Sequence, residues 1–305
     1  MNRNARCLLG IVLLLFSLGH ALAQDTEEVT LTTSQVADGI YMISGRGGNI
    51  TFSVGDDGVV MIDDNYAPLT PAVLNAVASV TDQPVRLILN THYHADHTGG
   101  NENFGESGAV VVAHDNVRRR MSVELLRDWF GEVDTIEASP PGGLPIMTFD
   151  STVSFHLNGQ DIFVFHVENA HTDGDSVVHY RTANVVHTGD VVFYGLYPYI
   201  DVMNGGSVKG TITAVDQIIE LVDENTKVIP GHGTLTDAAG LREYRDVLAT
   251  IVGRIEALMA EGKTEAEVLA AQPSAEFDAK WGRALLRRKS GYRQFIATSV
   301  AISDR

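Results

Sequence analysis

The heptapeptide THYHADH, Thr91 to His97, constrains this chain more than any other feature. Three histidines and an aspartate fall within six positions, directly after the apolar run Val85, Leu87, Ile88, Leu89. Packing gives no reason for that density of nitrogen and carboxylate donors, whereas a divalent metal does. A metal held by nitrogen and oxygen needs three or four donors, and a catalytic one keeps a position open for water or substrate. His92 and His94 supply two donors, so the fold must bring others to the end of this strand.

Further donors recur at the same kind of place. His171 lies in the polar loop AHTDGD (Ala170 to Asp175) after the apolar strand Ile162 to Val167. Asp190 lies in HTGD, just past Asn184 to His187, and His232 lies in PGHG after the strand Lys227 to Ile229. A lone loop histidine is usually exposed and a Gly-Asp pair is usually a turn. Four polar groups at the carboxyl ends of four apolar strands would nevertheless converge on one edge of a sheet, where open α/β folds keep their sites. The strand Val59 to Ile62 ends in Asp63-Asp64, which reads either as a solvated turn or with Asp63 turned inward as a hydrogen-bond acceptor. His114, His156, His166, His179 and His187 lie in or beside strands and read as surface or satisfied core residues.

The remaining pattern is mixed α/β. Ile40–Ile43, Ile50–Val54, Ala109–Ala113, Val153–Leu157, Ser176–Tyr180 and Val185–Val192 read as strands, with a hairpin signal at Asp56-Asp57-Gly58. Thr70-Pro71 opens a helix, and Ile212 to Val222 and Leu241 to Leu258 keep helical apolar spacing. Asp115 is expected to cap a helix carrying Met121, Leu125, Leu126 and Trp129, with Arg118, Arg119 and Arg120 on its solvated face. Arg283, Arg287, Arg288, Lys289 and Arg293 form a basic surface on a last helix.

Arg3 and Arg6, the apolar stretch Leu8 to Leu18 and Ala21-Leu22-Ala23 have the form of a secretory signal peptide. Residues 1–23 are therefore expected to be removed, leaving a single domain over 24–305 that is periplasmic or secreted, with no stable membrane anchor. The one cysteine, Cys7, falls in the leader, so thiolate ligands, disulfides and a cysteine nucleophile are excluded from the mature chain. A net charge of -17 argues against nucleic-acid partners.

THYHADH resembles the H-x-H-x-D-H signature of the metallo-β-lactamase superfamily, and AHTDGD, HTGD and PGHG resemble its remaining motifs in the same order. The resemblance implies a four-layered αββα sandwich with a dinuclear site on one edge. Carried over by position, His92, His94 and His171 would hold the first Zn2+, Asp96, His97 and His232 the second, and Asp190 would bridge them. Asp63 matches the acidic residue behind the metal loop. Asp96 would also orient a hydroxide made available by the metal pair. Tyr194 would donate to the developing oxyanion, as tyrosines near this position do in family lactonases, or would pack among Phe193, Tyr197 and Tyr199.

The common zinc β-lactamases carry cysteine where Asp190 stands, and the set with Asp190 looks more like glyoxalase II and the lactonases. The expected function is hydrolysis of an ester, lactone, thioester or β-lactam of a small-molecule substrate, with any β-lactamase activity weak or promiscuous. An all His/Asp site also accommodates iron or manganese. A non-haem iron oxidoreductase such as a persulfide dioxygenase, and a non-catalytic periplasmic metal-binding accessory protein, are the alternatives. The oligomeric state is not encoded in any feature found.

Overall fold

A computed structural model of the chain describes residues 30–129 and 132–282. The leader and the basic cluster from Arg283 onward lie outside the described residues. The chain opens with β1 (Thr32–Ala37), β2 (Ile40–Ser44), β3 (Ile50–Gly55) and β4 (Gly58–Ile62), joined as an antiparallel meander. Helix α1 (Thr70–Ala78) crosses to β5 (Val85–Asn90), which pairs parallel with β4. Short helices α2 (Ala95–Thr98) and α3 (Asn101–Glu106) lead to β6 (Val110–His114), and α4 (Asp115–Met121) follows.

A separate hairpin, β7 (Leu125–Trp129) and β8 (Glu132–Ile136), precedes β9 (Met147–Phe149), which closes a seven-stranded sheet in the order β1-β2-β3-β4-β5-β6-β9. The second sheet contains β10 (Thr152–Leu157), β11 (Gln160–His166), β12 (Ser176–Tyr180), β13 (Val185–His187), β15 (Lys227–Ile229) and β17 (Thr236–Asp237) in that order. Between β13 and β15 run β14 (Phe193–Tyr194) and α5 (Val208–Leu221); β16 (His232–Gly233) pairs with β14. Helices α6 (Ala238–Ala260), α7 (Glu265–Ala271) and α8 (Asp278–Trp281) end the described chain.

The layering follows from side-chain parity. Successive residues of a strand point to opposite faces, and β4 to β6 are apolar on both. Val60, Ile62, Leu89 and Val112 meet Ile162, Val164, Val178 and Ile229 of the second sheet. Val59, Met61, Ile88 and Val111 instead meet Val73, Val77 and Phe104 of α1 and α3. On the far side, Val177 and Val186 pack against Val215 and Ile218 of α5 and Leu241, Leu248 and Ile251 of α6. The result is the expected αββα sandwich. Among the described residues no helix is long and apolar enough to cross a membrane.

Four local expectations are corrected. The helix after Ala113 ends at Met121, and Leu125, Leu126 and Trp129 lie on a hairpin strand instead. Met121 and Leu125 are four apart and pack on one cluster with Tyr93 and Val117, so their spacing imitates a helix. The cap is His114, whose ring nitrogen Nδ1 accepts the Asn116 N–H at 3.3 Å. The strand expected over Val185–Val192 stops at His187, because Gly189 takes a positive φ of 51°. The arginine run is also more than a wet face: Arg120 forms a two-point pair with Asp173 of the AHTDGD loop, Nη2 to Oδ2 at 2.8 Å and Nε to Oδ1 at 3.1 Å.

Candidate metal centre

All seven residues expected as ligands come together at the carboxyl ends of the inner strands. One ligand atom from each of His92, His94, His171 and Asp190 lies within 4.8 Å of the other three, and Asp96, His97 and His232 form a second group by the same measure. His94 Nδ1 is 3.1 Å from His92 Nε2 and 2.9 Å from His171 Nε2. Asp190 stands between the groups: Oδ2 is 3.5 Å from His171 Nε2 and 3.4 Å from His232 Nε2, while Oδ1 is 3.1 Å from His97 Nε2.

The far sides of the rings explain their orientation. His97 Nδ1–H donates to Asp63 Oδ2 at 2.7 Å, and His171 Nδ1–H donates to the Tyr199 carbonyl at 2.8 Å. His94 Nε2–H donates to Asp201 Oδ2 at 3.0 Å. His92 Nδ1–H donates to Thr91 Oγ1 at 3.1 Å, and that hydroxyl donates onward to Asp63 Oδ2 at 2.8 Å. Each bond leaves the other ring nitrogen as a lone pair facing the cluster, as a metal-ligating histidine requires. Asp63 is thus turned inward, fully buried, with Oδ1 also accepting the Thr91 N–H at 2.7 Å.

The cluster's electrostatics fit a cation. Burial pulls His92 well below the ordinary imidazole range and His171 down to about 4, which keeps both neutral. Burial also opposes charge on His97 and His232, but Asp190 and Asp96 outweigh it, raising His97 and lifting His232 to about 9. Asp96 is lowered to about 2, because His97 and His232 overcome its burial. Without metal, protons gather where the anions meet. His97 Nε2 and Asp190 Oδ1 are both buried with no hydrogen-bond partner, although 3.1 Å apart. Buried polar atoms left unsatisfied are costly, and a metal between them would use both. The donor set therefore fits two divalent ions.

Glycines permit this approach. A Cβ on Gly231 would sit 2.1 Å from Asp190 Oδ1 and 2.5 Å from the Gly189 carbonyl carbon. Gly231→Ala is expected to lower metal content and stability by about 1–3 kcal/mol. Gly253→Ala, where nothing lies within 4 Å, is expected to stabilise α6 by about 0.5–1 kcal/mol. Thermal melts and metal analysis of the two proteins check this contrast.

A family model for the metallo-beta-lactamase superfamily matches residues 43–232, more than half of the chain. The chain belongs to that superfamily. A probable metallo-hydrolase, YqgX of Bacillus subtilis, is 28% identical over 156 residues, 49% of this chain and 69% of the relative. The acyl-coenzyme A thioesterase MBLAC2 of Gallus gallus is 25% identical over 167 residues, 51% of this chain and 59% of the relative. A metallo-beta-lactamase from Pontibacter korlensis superposes with a TM-score of 0.60 at 18% identity, covering 72% of this chain and 99% of that one, a likeness of fold.

Tyr194 does not line the cavity over the ligands. Strand β14 presents Phe193 to the site, where its ring stacks on His232 at 4.9 Å. Its neighbour faces the other way: the Tyr194 hydroxyl is 3.3 Å from Glu243 Oε2 and its ring meets Trp281 edge-on. A cavity of about 420 Å³ opens over His94, Asp96, Asp190 and His232, and the tyrosines lining it are Tyr66, Tyr197 and Tyr199.

The sequence reading missed Asp201. Its carboxylate, buried, orients His94, accepts from the Tyr93 hydroxyl and is held by Asn204 Nδ2 at 3.0 Å to each oxygen. It sits in the irregular segment YPYIDVMN, which has no strand-end signature. Asp201→Ala is expected to weaken metal binding by about 10–100-fold, read by competition with a chromogenic chelator.

Proposed function

We propose that this metallo-hydrolase works with two zinc ions and cleaves an ester, lactone, thioester or strained cyclic amide bond of a small molecule. The observation that carries the reading is the single carboxylate of Asp190 reaching both ligand groups. When bound, a pair of cations supplies Lewis acidity toward a carbonyl oxygen and acidifies water.

The protein's own residues do the rest. His92, His94 and His171 would hold one ion, Asp96, His97 and His232 the other, and Asp190 both. Asp96 and His232 keep side-chain exposures of 19% and 22% where the remaining ligands are nearly sealed, so substrate and water enter from their side. Asp96, ionised at neutral pH, can accept a proton from water at its carboxylate and hand it to the leaving atom. Phe193 and Leu196 give the cavity an apolar wall for an acyl or ring carbon skeleton. A thioester is supported by the thioesterase relative as well as by this wall. Action outside the cytoplasm, after loss of residues 1–23, is part of the proposal and rests on the leader's composition.

Zinc-reconstituted protein assayed on lactams, lactones, thioesters, carboxylic esters and phosphoesters tests the function. Turnover of at least one carbonyl substrate well above free zinc is expected. Absence of turnover across the panel, or a single redox-active iron in the native protein with oxygen uptake on persulfide, would overturn it.

A further inference from the structure

His187 opens the HTGD motif that supplies Asp190, yet it is neither a ligand nor a wall of the cavity. It is the last residue of β13, and strand parity places its side chain on the face of Val185, between the two sheets. There it is fully buried, with Nδ1 2.7 Å from the hydroxyl oxygen of Thr51 on β3 of the other sheet. Its second nitrogen is an orphan: among the described residues nothing is hydrogen-bonded to His187 Nε2. An apolar side chain at this place would avoid the cost of burying that nitrogen, so the histidine calls for a reason beyond packing.

The chemistry of its neighbours fixes where the ring proton sits. Burial pulls His187 down to about 4 against the opposing effect of Asp63, so the ring is neutral and carries one N–H. The Thr51 hydroxyl finds its acceptor in Nδ1, which leaves the ring proton on Nε2. The opposite tautomer would aim a lone pair at a carboxylate, because Asp63 Oδ2 lies 3.8 Å from Nε2. That distance is longer than a hydrogen bond, but both groups are buried, where the attraction of an N–H dipole for a carboxylate is poorly screened. Asp63 Oδ2 already accepts from the Thr91 hydroxyl and from His97 Nδ1–H. His187 is thus a third donor aimed at the one oxygen that orients a metal ligand.

We propose that His187 is a positioning residue of the metal centre: its Nε2–H holds Asp63 Oδ2 in place for His97 Nδ1–H, and so aims His97 Nε2 at the second ion. Thr51 sets the tautomer, so the chain of contacts runs from β3 across the sandwich to β13 and back to the ligand His97. The inference rests on the two-metal reading of the site and concerns how firmly the second ion is held, which is measured without turnover.

Two amide substitutions divide the ring's two contacts between them. In His187→Asn the side-chain amide stands in for Nδ1 and still accepts from Thr51, whereas in His187→Gln it reaches the place of Nε2 and still donates toward Asp63. Zinc binding to the full-length protein, read by competition with a chromogenic chelator, separates the two roles. His187→Asn is expected to weaken the second ion by about tenfold with the first unchanged, and His187→Gln to recover most of that loss. In an Asp63→Asn background the difference between the two is expected to vanish, since His187 acts through Asp63. Equal affinities in the two single variants, or tighter binding by His187→Asn, would overturn the proposal and leave His187 a packing partner of Thr51. Where His187→Asn does not fold, a second-ion loss of about tenfold or more in folded His187→Gln would overturn it as well. The second readout is the His97 Nδ1–H proton in long-range proton–nitrogen NMR spectra of zinc-loaded protein. Its downfield position is expected to persist in His187→Gln and to move upfield in His187→Asn; an unmoved signal in His187→Asn would contradict the proposal. A wild-type protein that retains one zinc would reject the two-metal reading, and the His97 proton would still decide the contact with His187.

Discussion

Replacing Asp190 with alanine is expected to reduce bound metal from two ions per chain toward one and to lower hydrolysis by about a thousandfold, ~4 kcal/mol of transition-state stabilisation. The carboxylate lies within 3.7 Å of a ring nitrogen of each of His92, His97, His171 and His232. Those histidines, His232 first, hold its pKa well below the ordinary range against the opposing effect of burial. Without the carboxylate, four imidazoles face one another around a missing anion, and two cations would repel with nothing between them. Asp190→Asn keeps the shape and removes the charge, so a comparable loss there assigns the effect to the bridge. His156, with a side chain 77% exposed, is the control: His156→Ala should leave the metal count unchanged. Metal analysis beside steady-state kinetics reads both, and equal metal content in wild type and Asp190→Ala would refute the bridge.

The second large effect is expected at Asp63. This carboxylate accepts from the Thr91 N–H, the Thr91 hydroxyl and His97 Nδ1–H, and none of these groups reaches water. Removing one partner of a buried charged network costs about 3–5 kcal/mol. Asp63→Ala should lose about that much in denaturant unfolding of the metal-free protein, and loosening of His97 should weaken the second metal by about 10–100-fold. Asp63 also adopts a φ of 63°, which aspartate and asparagine tolerate better than alanine. Asp63→Asn separates the contributions, since it keeps the backbone preference while removing the charge. A loss below about 1 kcal/mol in Asp63→Ala would show that the network contributes little to stability.

The legible parts of this molecule were those in which one residue type repeats with a strand's parity or stands at a strand's end. Val59 to Ile62 and Val85 to Leu89 are apolar on both faces because one face meets the other sheet and one meets helices. His171, Asp190 and His232 could be picked out because each follows such a strand within a few residues. Three features were hidden for physical reasons. Asp201 acts from an irregular segment, so no periodicity marks it, and only the fold brings it to His94. The β7–β8 hairpin was masked because Met121 and Leu125 share one apolar cluster at helical spacing. Tyr194 stood between two readings, oxyanion donor and packing residue, because its parity on a two-residue strand was not marked: Phe193 occupies the inward position and the next side chain turns toward Glu243.

The most direct test of the two-metal account is a titration of metal-free protein with zinc, following hydrolysis of the best substrate in the panel at each step. The geometry predicts that full turnover requires close to two equivalents per chain and that Asp190→Ala saturates near one. Full activity at a single equivalent in the wild-type protein, with no second ion retained, would contradict it.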